Sequence, residues 1–225
     1  PVGTSPDKAF VQILDVATGT GTFIIEVIVL IHKTMTEKWR GQGKKESQIK
    51  ELWNEYVPRH LLQRLHGYEL MMAPYAIAHM KIGLKLYETG YRFDSDERVR
   101  VYLTNALEPV QDSTGILAFA IPALAREAEA VNSVKRNQRF TVVLGNPPYS
   151  KASKNLGAQF SKLIEDFRYY EGKRIREPGA ILFERDINND YVKFLGLGIN
   201  ITKISAYGIL GMITSNSYLD GKNFR

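Results

Sequence analysis

The stretch Ile13-Leu-Asp-Val-Ala-Thr-Gly-Thr-Gly-Thr-Phe23 decides the fold of this chain. An apolar run over 11–16 is typical of a short buried strand, and the apolar residues over 23–31 are typical of a helix. A turn that contains two glycines joins them, which is the arrangement of the first βα unit in a doubly wound sheet. The sequence therefore predicts an α/β fold.

Gly19 and Gly21 shape this turn. Without a Cβ atom, each lets the backbone bend sharply and approach a ligand closely. The unpaired N–H groups at the start of the next helix attract negative charge. The turn is not a Walker A loop, because no Gly-Lys-Ser/Thr follows, and the third glycine of a dinucleotide fingerprint would fall at Ile24. Alone, it is a weak indicator of a ligand site.

The tetrapeptide Asn146-Pro147-Pro148-Tyr149 follows a second apolar run, over 140–145. The prolines have a fixed φ and donate no hydrogen bond, so the carbonyls of Asn146 and Pro147 are held as stiff acceptors. The Asn146 side chain adds an oxygen, and the Tyr149 ring offers a face for stacking. This combination suits a flat group that bears an amino substituent. The alternative is a Pro-Pro turn that closes a strand.

Together, the two motifs resemble those of the amino-group methyltransferases that use S-adenosylmethionine, in particular the N6-adenine DNA methyltransferases. The cofactor motif precedes the catalytic motif, as in the branch whose target-recognition region lies C-terminal. The resemblance covers nearly all 225 residues, with gaps at about 35–63 and 110–138. Four further stretches are similar to the single-polypeptide restriction–modification enzymes: Leu65-His-Gly-Tyr-Glu-Leu70, Val101-Tyr-Leu-Thr-Asn-Ala-Leu107, Asn189-Asp-Tyr-Val-Lys-Phe194 and Gly208-Ile-Leu-Gly-Met-Ile-Thr-Ser-Asn-Ser-Tyr-Leu219.

The resemblance implies a Rossmann-like S-adenosylmethionine-dependent methyltransferase fold, with a doubly wound and mostly parallel sheet. It implies one catalytic domain over 1–225, as a fragment of a longer protein and without the target-recognition domain. A complete sheet of this kind has more strands, so we expect the domain to be incomplete at both ends. Alternating patterns predict strands near 11–16, 65–70, 99–104, 139–145 and 206–213, and helices near 22–39, 46–64, 74–89, 116–131, 158–170 and 188–203.

The resemblance assigns the catalytic role to Asn146, Pro147, Pro148 and Tyr149. Acceptors on Asn146 and on the Pro147 carbonyl would draw the nitrogen of an aromatic amine toward sp3 geometry. Tyr149 would stack on an adenine extruded from the duplex. The chain has no cysteine, which excludes disulfides and the thiolate mechanism of C5-cytosine methylation.

The resemblance also implies which residues bind S-adenosylmethionine, at the carboxyl ends of the strands. Asp15 would meet the methionyl ammonium, directly or through water, and Glu69 would accept hydrogen bonds from the ribose hydroxyls. Asn105 would line the adenine pocket or serve only as a turn residue. The complete expected set is Asp15, Ala17, Thr18, Gly19, Gly21, Thr22, Phe23, Glu69, Asn105, Ala106 and Leu107.

The expected partner is double-stranded DNA. A net charge of +6 and an isoelectric point near 9.3 suit a polyanion, and the candidates for DNA contact are Lys151, Lys154, Lys162 and Tyr169-Tyr170. No metal is expected, because the four histidines lack metal-ligand spacing. No apolar run has the length of a membrane span. We expect a cytoplasmic, prokaryotic protein that acts at the nucleoid, with nuclease, helicase and target-recognition regions possible in the full-length chain.

Three functions remain open. The first is adenine-N6 methylation of DNA by part of a restriction–modification enzyme. The second is amino methylation of RNA guanine or of a release-factor glutamine, since those enzymes carry a similar Asn-Pro-Pro-aromatic loop. The third is a cofactor-binding recognition module that does not catalyse. The stretches 189–194 and 208–219 favour the DNA enzymes, and the intact motifs at 15–22 and 146–149 argue against a loss of catalysis.

Overall fold

A computed structural model describes residues 9–110, 122–149, 155, 157–175, 184, 186–205 and 207–216, without the side chains of 122–125 and Tyr170. The chain divides into two compact units, residues 1–104 and 105–225. Each unit contains parallel strands and helices of its own.

Seven strands occur in the described part of the chain: β1 (Ile13–Asp15), β2 (Leu65–Glu69), β3 (Arg100–Leu103), β4 (Val142–Gly145), β5 (Tyr169–Tyr170), β6 (Lys173–Arg174) and β7 (Ile209–Met212). Five of them form one sheet in the order β3-β2-β1-β4-β7. Each of the five predicted strands is confirmed, although each is shorter than predicted. The prediction of an α/β fold with a parallel sheet is therefore correct.

In the first unit, β1 pairs in parallel with β2, and β2 pairs in parallel with β3. The helices are α1 (Thr22–Gly41), α2 (Glu46–Tyr56) and α3 (Met72–Glu88), and a π-helical turn (Val57–Leu61) follows α2. The strands contribute Leu14 and Val101 to the core, and both side chains are fully buried. Such burial on both faces is usual for parallel strands that helices cover.

In the second unit, β4 pairs in parallel with β7. Its helices are α4 (Pro122–Asn137), the short α5 (Ala158–Ser161), which continues as a 3₁₀ helix (Lys162–Arg168), and α6 (Asp190–Ile204). A hydrophobic cluster of Ile164, Ile187, Tyr191 and Val192 packs the 3₁₀ helix against α6. These apolar contacts lie at the N-terminal end of α6, which is also where its polar first turn begins.

The predicted helices differ from the structure in three places. The helix predicted over 46–64 ends at Tyr56, and the π turn follows, in which Leu62 N donates to Val57 O at 2.9 Å. The helix predicted over 116–131 is α4 and runs to Asn137, while 116–121 lie outside the described residues. The helix predicted over 158–170 is wrong at its end, because Tyr169 and Tyr170 form β5.

A short β-hairpin lies over residues 169–174. Strands β5 and β6 are antiparallel and enclose Glu171 and Gly172 in a two-residue turn. Both turn residues have a positive φ, 46° and 77°, as the favoured two-residue hairpin turns require. Residues 176–179 lie outside the described residues.

Gly67 in β2 packs closely against the loop that contains Gly19 and Gly21, which we call the glycine loop. A side chain at this position should therefore lower the stability of the fold. A Cβ atom at Gly67 would lie 2.5 Å from Thr18 Oγ1 and 3.0 Å from Ile24 Cδ1. Gly67→Ala should lower the free energy of unfolding by about 1–3 kcal/mol because of this overpacking. Gly83→Ala in α3 is the control, since a Cβ atom there meets nothing within 4 Å, and it should stabilise the helix by up to about 1 kcal/mol. Urea unfolding measures both, and an unchanged stability of the Gly67 variant would contradict the prediction.

Candidate functional site

The loop after β1 has the sharp turn that its glycines predict. Gly19 and Gly21 have φ angles of +56° and +84°, and Gly21 N donates to Thr18 O at 2.9 Å. A Cβ atom at Gly21 would lie 3.2 Å from Ile82 Cδ1, whereas a Cβ atom at Gly19 would meet nothing within 4 Å. The absence of a side chain at Gly21 therefore allows close packing on α3. At Gly19, the backbone borders open space.

Glu69 closes this loop from the end of β2. One carboxylate oxygen accepts from Gly19 N at 2.8 Å, and the other accepts from Met71 N at 2.8 Å. In addition, Thr18 N donates to Tyr68 O at 3.0 Å. The predicted loop residues and the predicted acidic residue are thus brought together. Each carboxylate oxygen retains a lone pair for another donor, such as a hydroxyl group.

Asp15 lies at the base of the loop and is fully buried. Its Oδ1 accepts from Ala17 N at 3.1 Å, while its Oδ2 is buried without a hydrogen-bond partner in the described part of the chain. Burial raises the pKa of Asp15 from 3.8 to about 7, the Ala17 hydrogen bond lowers it in part, and the Glu69 carboxylate raises it further. Oδ2 is therefore able to accept a hydrogen bond, which a ligand or a water molecule would donate.

The first residues of α1 lie next to this loop. Thr22 is exposed, and Phe23 is half-buried, so Phe23 is not a full member of the core. Lys81 of α3 donates from Nζ to Thr20 Oγ1 at 3.3 Å and brings a positive charge to the loop. Nothing in the sequence indicated Lys81, because it is 61 residues distant and belongs to no motif. After Glu69, the apolar side chains of Leu70, Met71 and Met72 are exposed.

In the second unit, Asn105 forms a turn. Its Oδ1 accepts from Leu107 N at 3.1 Å, and its Nδ2 donates to Glu108 Oε1 at 3.2 Å and Asn155 Oδ1 at 3.0 Å. Ala106 and Leu107 are buried. The interpretation of Asn105 as a turn residue is therefore correct, and an additional contact with a ligand stays a prediction.

A buried polar network joins the Asn105 turn to the first turn of α6. Asn155 Nδ2 donates to Asp190 Oδ1 at 3.1 Å, and Lys193 Nζ donates to the Asn155 carbonyl at 2.7 Å. Lys193 is almost fully buried; burial lowers its pKa, and the Asp190 carboxylate partly opposes this. The sequence analysis quoted 189–194 but assigned no role to Asp190 or Lys193, since a local pattern does not show that a charged pair is buried.

Lys135 of α4 supports the same turn from another side. Its Nζ donates to the carbonyls of Asn105 and Glu108, both at 2.9 Å. Burial lowers the pKa of Lys135 to about 8, while the Glu108 carboxylate raises it. The Asn105 turn is consequently fixed by side chains that are far apart in the sequence.

The tetrapeptide 146–149 leaves the end of β4 with Pro147 buried and Asn146 exposed. The Tyr149 hydroxyl lies 2.6 Å from Asn146 Oδ1 and 3.1 Å from the Ile213 carbonyl, and it donates to these acceptors. The Tyr149 ring meets Tyr191 edge to face at 6.5 Å and remains 47% exposed. The expected amine acceptor is thus oriented by the expected stacking residue, which keeps an accessible ring.

The other expected contacts are only partly described. Lys151 and Lys154 lie outside the described residues, as does the Tyr170 side chain, while Lys162 and Tyr169 are exposed. His66 is buried in β2, and burial, assisted by Arg100, lowers its pKa to about 4. The described residues contain no group of three or more His, Asp or Glu side chains that is arranged to hold a metal ion. None of their helices is both long and apolar enough to cross a membrane.

Comparison with known proteins identifies a family and a fold. The family model "Eco57I restriction-modification methylase" matches residues 66–225. No curated protein matches the chain. Three solved structures share the fold at TM-scores between 0.61 and 0.65 and identities of 21–22%.

Each of these structures is much longer than the chain. The ATP-dependent Type ISP restriction-modification enzyme LlaBIII bound to DNA has a TM-score of 0.65 at 22% identity, with 99% of this chain and 14% of that chain covered. A nuclease-deletion mutant of the Type ISP enzyme LlaGI with a DNA substrate mimic has a TM-score of 0.63 at 22% identity (99% and 17% covered). The DrdV–DNA complex has a TM-score of 0.61 at 21% identity (98% and 19% covered). The chain therefore spans less than a fifth of each.

The raised pKa of Asp15 leads to a prediction about pH and stability. Since the folded state has a pKa of about 7 and the ordinary value is 3.8, the folded protein binds this proton more tightly than the unfolded chain does. That stabilisation is fully present below about pH 4 and is lost as the pH rises through about 7. Between pH 5 and pH 8, the wild type should lose roughly 2–3 kcal/mol more than Asp15→Asn. Urea unfolding of both proteins at the two pH values measures this difference, and equal losses would contradict it.

Proposed function

Because the chain belongs to the Eco57I restriction-modification methylase family, we propose that it transfers a methyl group from S-adenosylmethionine to N6 of adenine in DNA. The observation that carries this proposal is the Asn146 side-chain oxygen, which the Tyr149 hydroxyl orients beside the stiff carbonyls of a Pro-Pro segment. Membership of the family makes the chain a methyltransferase of restriction–modification systems. The cofactor, the adenine and the DNA are the parts that we propose.

The loop of the first unit fits S-adenosylmethionine by its donor and acceptor groups. The buried Oδ2 of Asp15 lacks a donor, and the methionyl ammonium, directly or through a water molecule, would supply one. Because Asp15 is fully buried, a direct contact requires the loop to open. Glu69 would accept hydrogen bonds from the ribose hydroxyls. The open space at Gly19 allows close approach of the ligand. When bound, this cofactor supplies a methyl group that is already activated on sulfur.

The other residues of the expected set are assigned to the same ligand. Ala17, Thr18 and Gly21 maintain the turn, and the free N–H groups at the helix start favour negative charge. Asn105, Ala106 and Leu107 belong to the second unit, and the resemblance assigns them to the adenine ring. The complete set is Asp15, Ala17, Thr18, Gly19, Gly21, Thr22, Phe23, Glu69, Asn105, Ala106 and Leu107.

The tetrapeptide 146–149 would bind the amine. An exocyclic amino group has two hydrogens, and Asn146 Oδ1 and the Pro147 carbonyl would accept one each. These bonds would draw the nitrogen away from conjugation with the ring and return its lone pair. The nitrogen would then take up the methyl group, while the bonding pair of S–CH3 stays on sulfur and one amine proton is lost to solvent. As positive charge develops on this nitrogen, the two oxygens stabilise it. Positioning of this kind lowers a barrier by up to roughly 7–11 kcal/mol in favourable systems.

A base inside a duplex does not reach such a pocket, so the adenine must be extruded. The exposed ring of Tyr149 would stack on the extruded base and offset about 1–3 kcal/mol of the cost. Double-stranded DNA is therefore the proposed substrate, and the net charge of +6 supports it. The similar structures LlaBIII and LlaGI are Type ISP restriction-modification enzymes with DNA or a DNA substrate mimic. On this basis, we propose that the chain acts in a longer polypeptide of a prokaryotic cytoplasm, together with nuclease, helicase and target-recognition regions.

The test of this function uses S-adenosylmethionine with a labelled methyl group. The acceptors are DNA, RNA and a release factor, each offered separately. The expected product is N6-methyladenine in DNA, identified by mass spectrometry after digestion. Label that appears only in RNA or only in protein would contradict the proposed substrate and would favour one of the other amino methyltransferase activities.

Asn146→Ala removes the side-chain acceptor and tests its role. We expect the rate of methyl transfer to fall by at least about 10²-fold, while the affinity for S-adenosylmethionine, measured by calorimetry, stays within about twofold. Asn137→Ala is the matched control, because Asn137 is exposed at the end of α4 in the same unit, and it should leave the rate unchanged. A loss of cofactor binding in the Asn146 variant would show that its role is misassigned.

Tyr149→Phe separates orientation from stacking. The variant keeps the ring and loses the hydroxyl that donates to Asn146 Oδ1. The loss of one such hydrogen bond is worth about 1 kcal/mol, so kcat should fall about fivefold while KM for DNA is unchanged. Tyr149→Ala should also raise KM for DNA, because the stacking surface is lost. An unchanged kcat in the Phe variant would show that the hydroxyl does not orient Asn146.

A further inference from the structure

A cleft of about 330 Å³ lies in the first unit, between the end of α1, α2 and the π turn. Trp39, Glu55, Tyr56, Arg59, His60 and Arg64 are among its lining residues, and all of them precede the family match over 66–225. Arg64 comes just before β2, whereas Glu69 ends it. Five residues of strand separate the two by roughly 16 Å, so the cleft is distinct from the glycine loop.

One wall of the cleft is aromatic and rigid. The Tyr56 ring stacks on Trp53 at 5.8 Å, with an angle of 16° between the rings. Trp39 meets Tyr56 edge to face at 6.1 Å, and His60 meets it at 5.2 Å. Trp53 is almost fully buried, so the ring that supports Tyr56 is fixed. Aromatic walls and a volume of this size are usual in sites for small flat ligands.

The other lining groups favour an anion. Arg64 Nε is buried, and no described group accepts a hydrogen bond from it. Arg59 also lines the cleft and is exposed, and among the described residues no carboxylate pairs with it. Glu55 is the one acidic lining residue, against two guanidinium groups. A buried donor without a partner is costly, and a phosphate is a group that arginine binds strongly, often through two hydrogen bonds.

The π turn places Arg59 close to the aromatic side chains of the cleft. Its hydrogen bond from Leu62 N to Val57 O spans five residues instead of four. The wider turn contains Arg59 and His60, which follow Tyr56 by three and four residues and line the cleft with it. Single π turns are rare in helices and are frequent at functional sites.

We propose that this cleft binds a nucleotide, with the base against the wall formed by Trp39 and Tyr56 and the phosphate on Arg59 and Arg64. The site goes beyond methyl transfer, since it shares no residue with the proposed cofactor loop or the tetrapeptide, and S-adenosylmethionine has no phosphate. The ligand is either a free mononucleotide or a nucleotide of a DNA strand. Both sources offer the same base and phosphate.

The experiment measures AMP binding by the tryptophan fluorescence of the protein, with S-adenosylhomocysteine present in excess to fill the proposed cofactor loop. We expect saturable quenching in the wild type. Arg64→Met should weaken AMP binding at least about tenfold, because a charged hydrogen bond is lost. Arg40→Gln is the matched control, since Arg40 is an exposed arginine of α1 that pairs with Glu46 outside the cleft, and it should change the affinity by less than about twofold.

Further arms identify the source and test the aromatic wall. Tighter binding of a short single-stranded oligonucleotide than of AMP would assign the site to a DNA strand, and the reverse would assign it to a free nucleotide; both support the proposal. Tyr56→Leu should weaken AMP binding in calorimetry, because the half-buried ring that lines the cleft would no longer stack on the base. Inorganic phosphate that binds as tightly as AMP, or an unchanged affinity of the Arg64 variant, would overturn the proposal.

The folding of the variants is checked by circular dichroism and thermal unfolding. If Arg64→Met does not fold, Arg59→Gln replaces it, because Arg59 is exposed and its loss does not affect the core. An affinity of the Arg59 variant equal to that of the wild type would then overturn the proposal. The outcome is independent of methyl transfer, since the methyl-transfer assay can fail while AMP binding is retained, and the reverse also holds.

Discussion

The two hydrogen bonds that the Glu69 carboxylate accepts are the constraint on which the first unit depends. Gly19 N and Met71 N, each at 2.8 Å, are held by one side chain at the end of β2. The bond to Gly19 N holds the glycine loop together with the bond from Thr18 N to Tyr68 O and the close packing of Gly21 on Ile82. Asp15 is buried at the base of this loop, and burial raises its pKa to about 7. The Glu69 carboxylate, which accepts from Gly19 N, also raises the pKa of Asp15, so the charged form of Asp15 is disfavoured.

In the second unit, polar side chains compensate for the burial of a charged group, Lys193. Lys193 is buried, but its ammonium donates to the Asn155 carbonyl, and Asn155 bonds in turn to Asp190. A buried charge without such partners would be strongly destabilising. Asn155 also accepts from Asn105, so one residue connects the turn near β3 with the start of α6. Tyr191, next to Asp190 on α6, contacts the ring of Tyr149, and the network therefore supports the residue that orients Asn146.

The sequence predicted the elements that repeat a pattern and missed those that depend on distant contacts. Apolar runs located all of the strands in the five-stranded sheet, and the glycine turn located the start of α1 at Thr22. Strands β5 and β6 have two residues each, which is too short for an alternation of apolar and polar residues to indicate them. The partners of Glu69 and Asn105 follow from packing between segments about 50 residues apart. The raised pKa of Asp15 depends on complete burial, which the alternation of local residues does not reveal.

The family match and the glycine loop identify different parts of the chain, and backbone and side-chain contacts with β2 connect them. The match begins at His66, so it includes Glu69 and the tetrapeptide 146–149 but excludes the loop at 15–23. The loop was recognised only by its own turn and by its resemblance to a cofactor motif. The hydrogen bond from Gly19 N to Glu69 Oε2 joins the unmatched loop to the matched strand. The loop is therefore physically part of the domain that the family defines, which is the condition for a cofactor role in that domain.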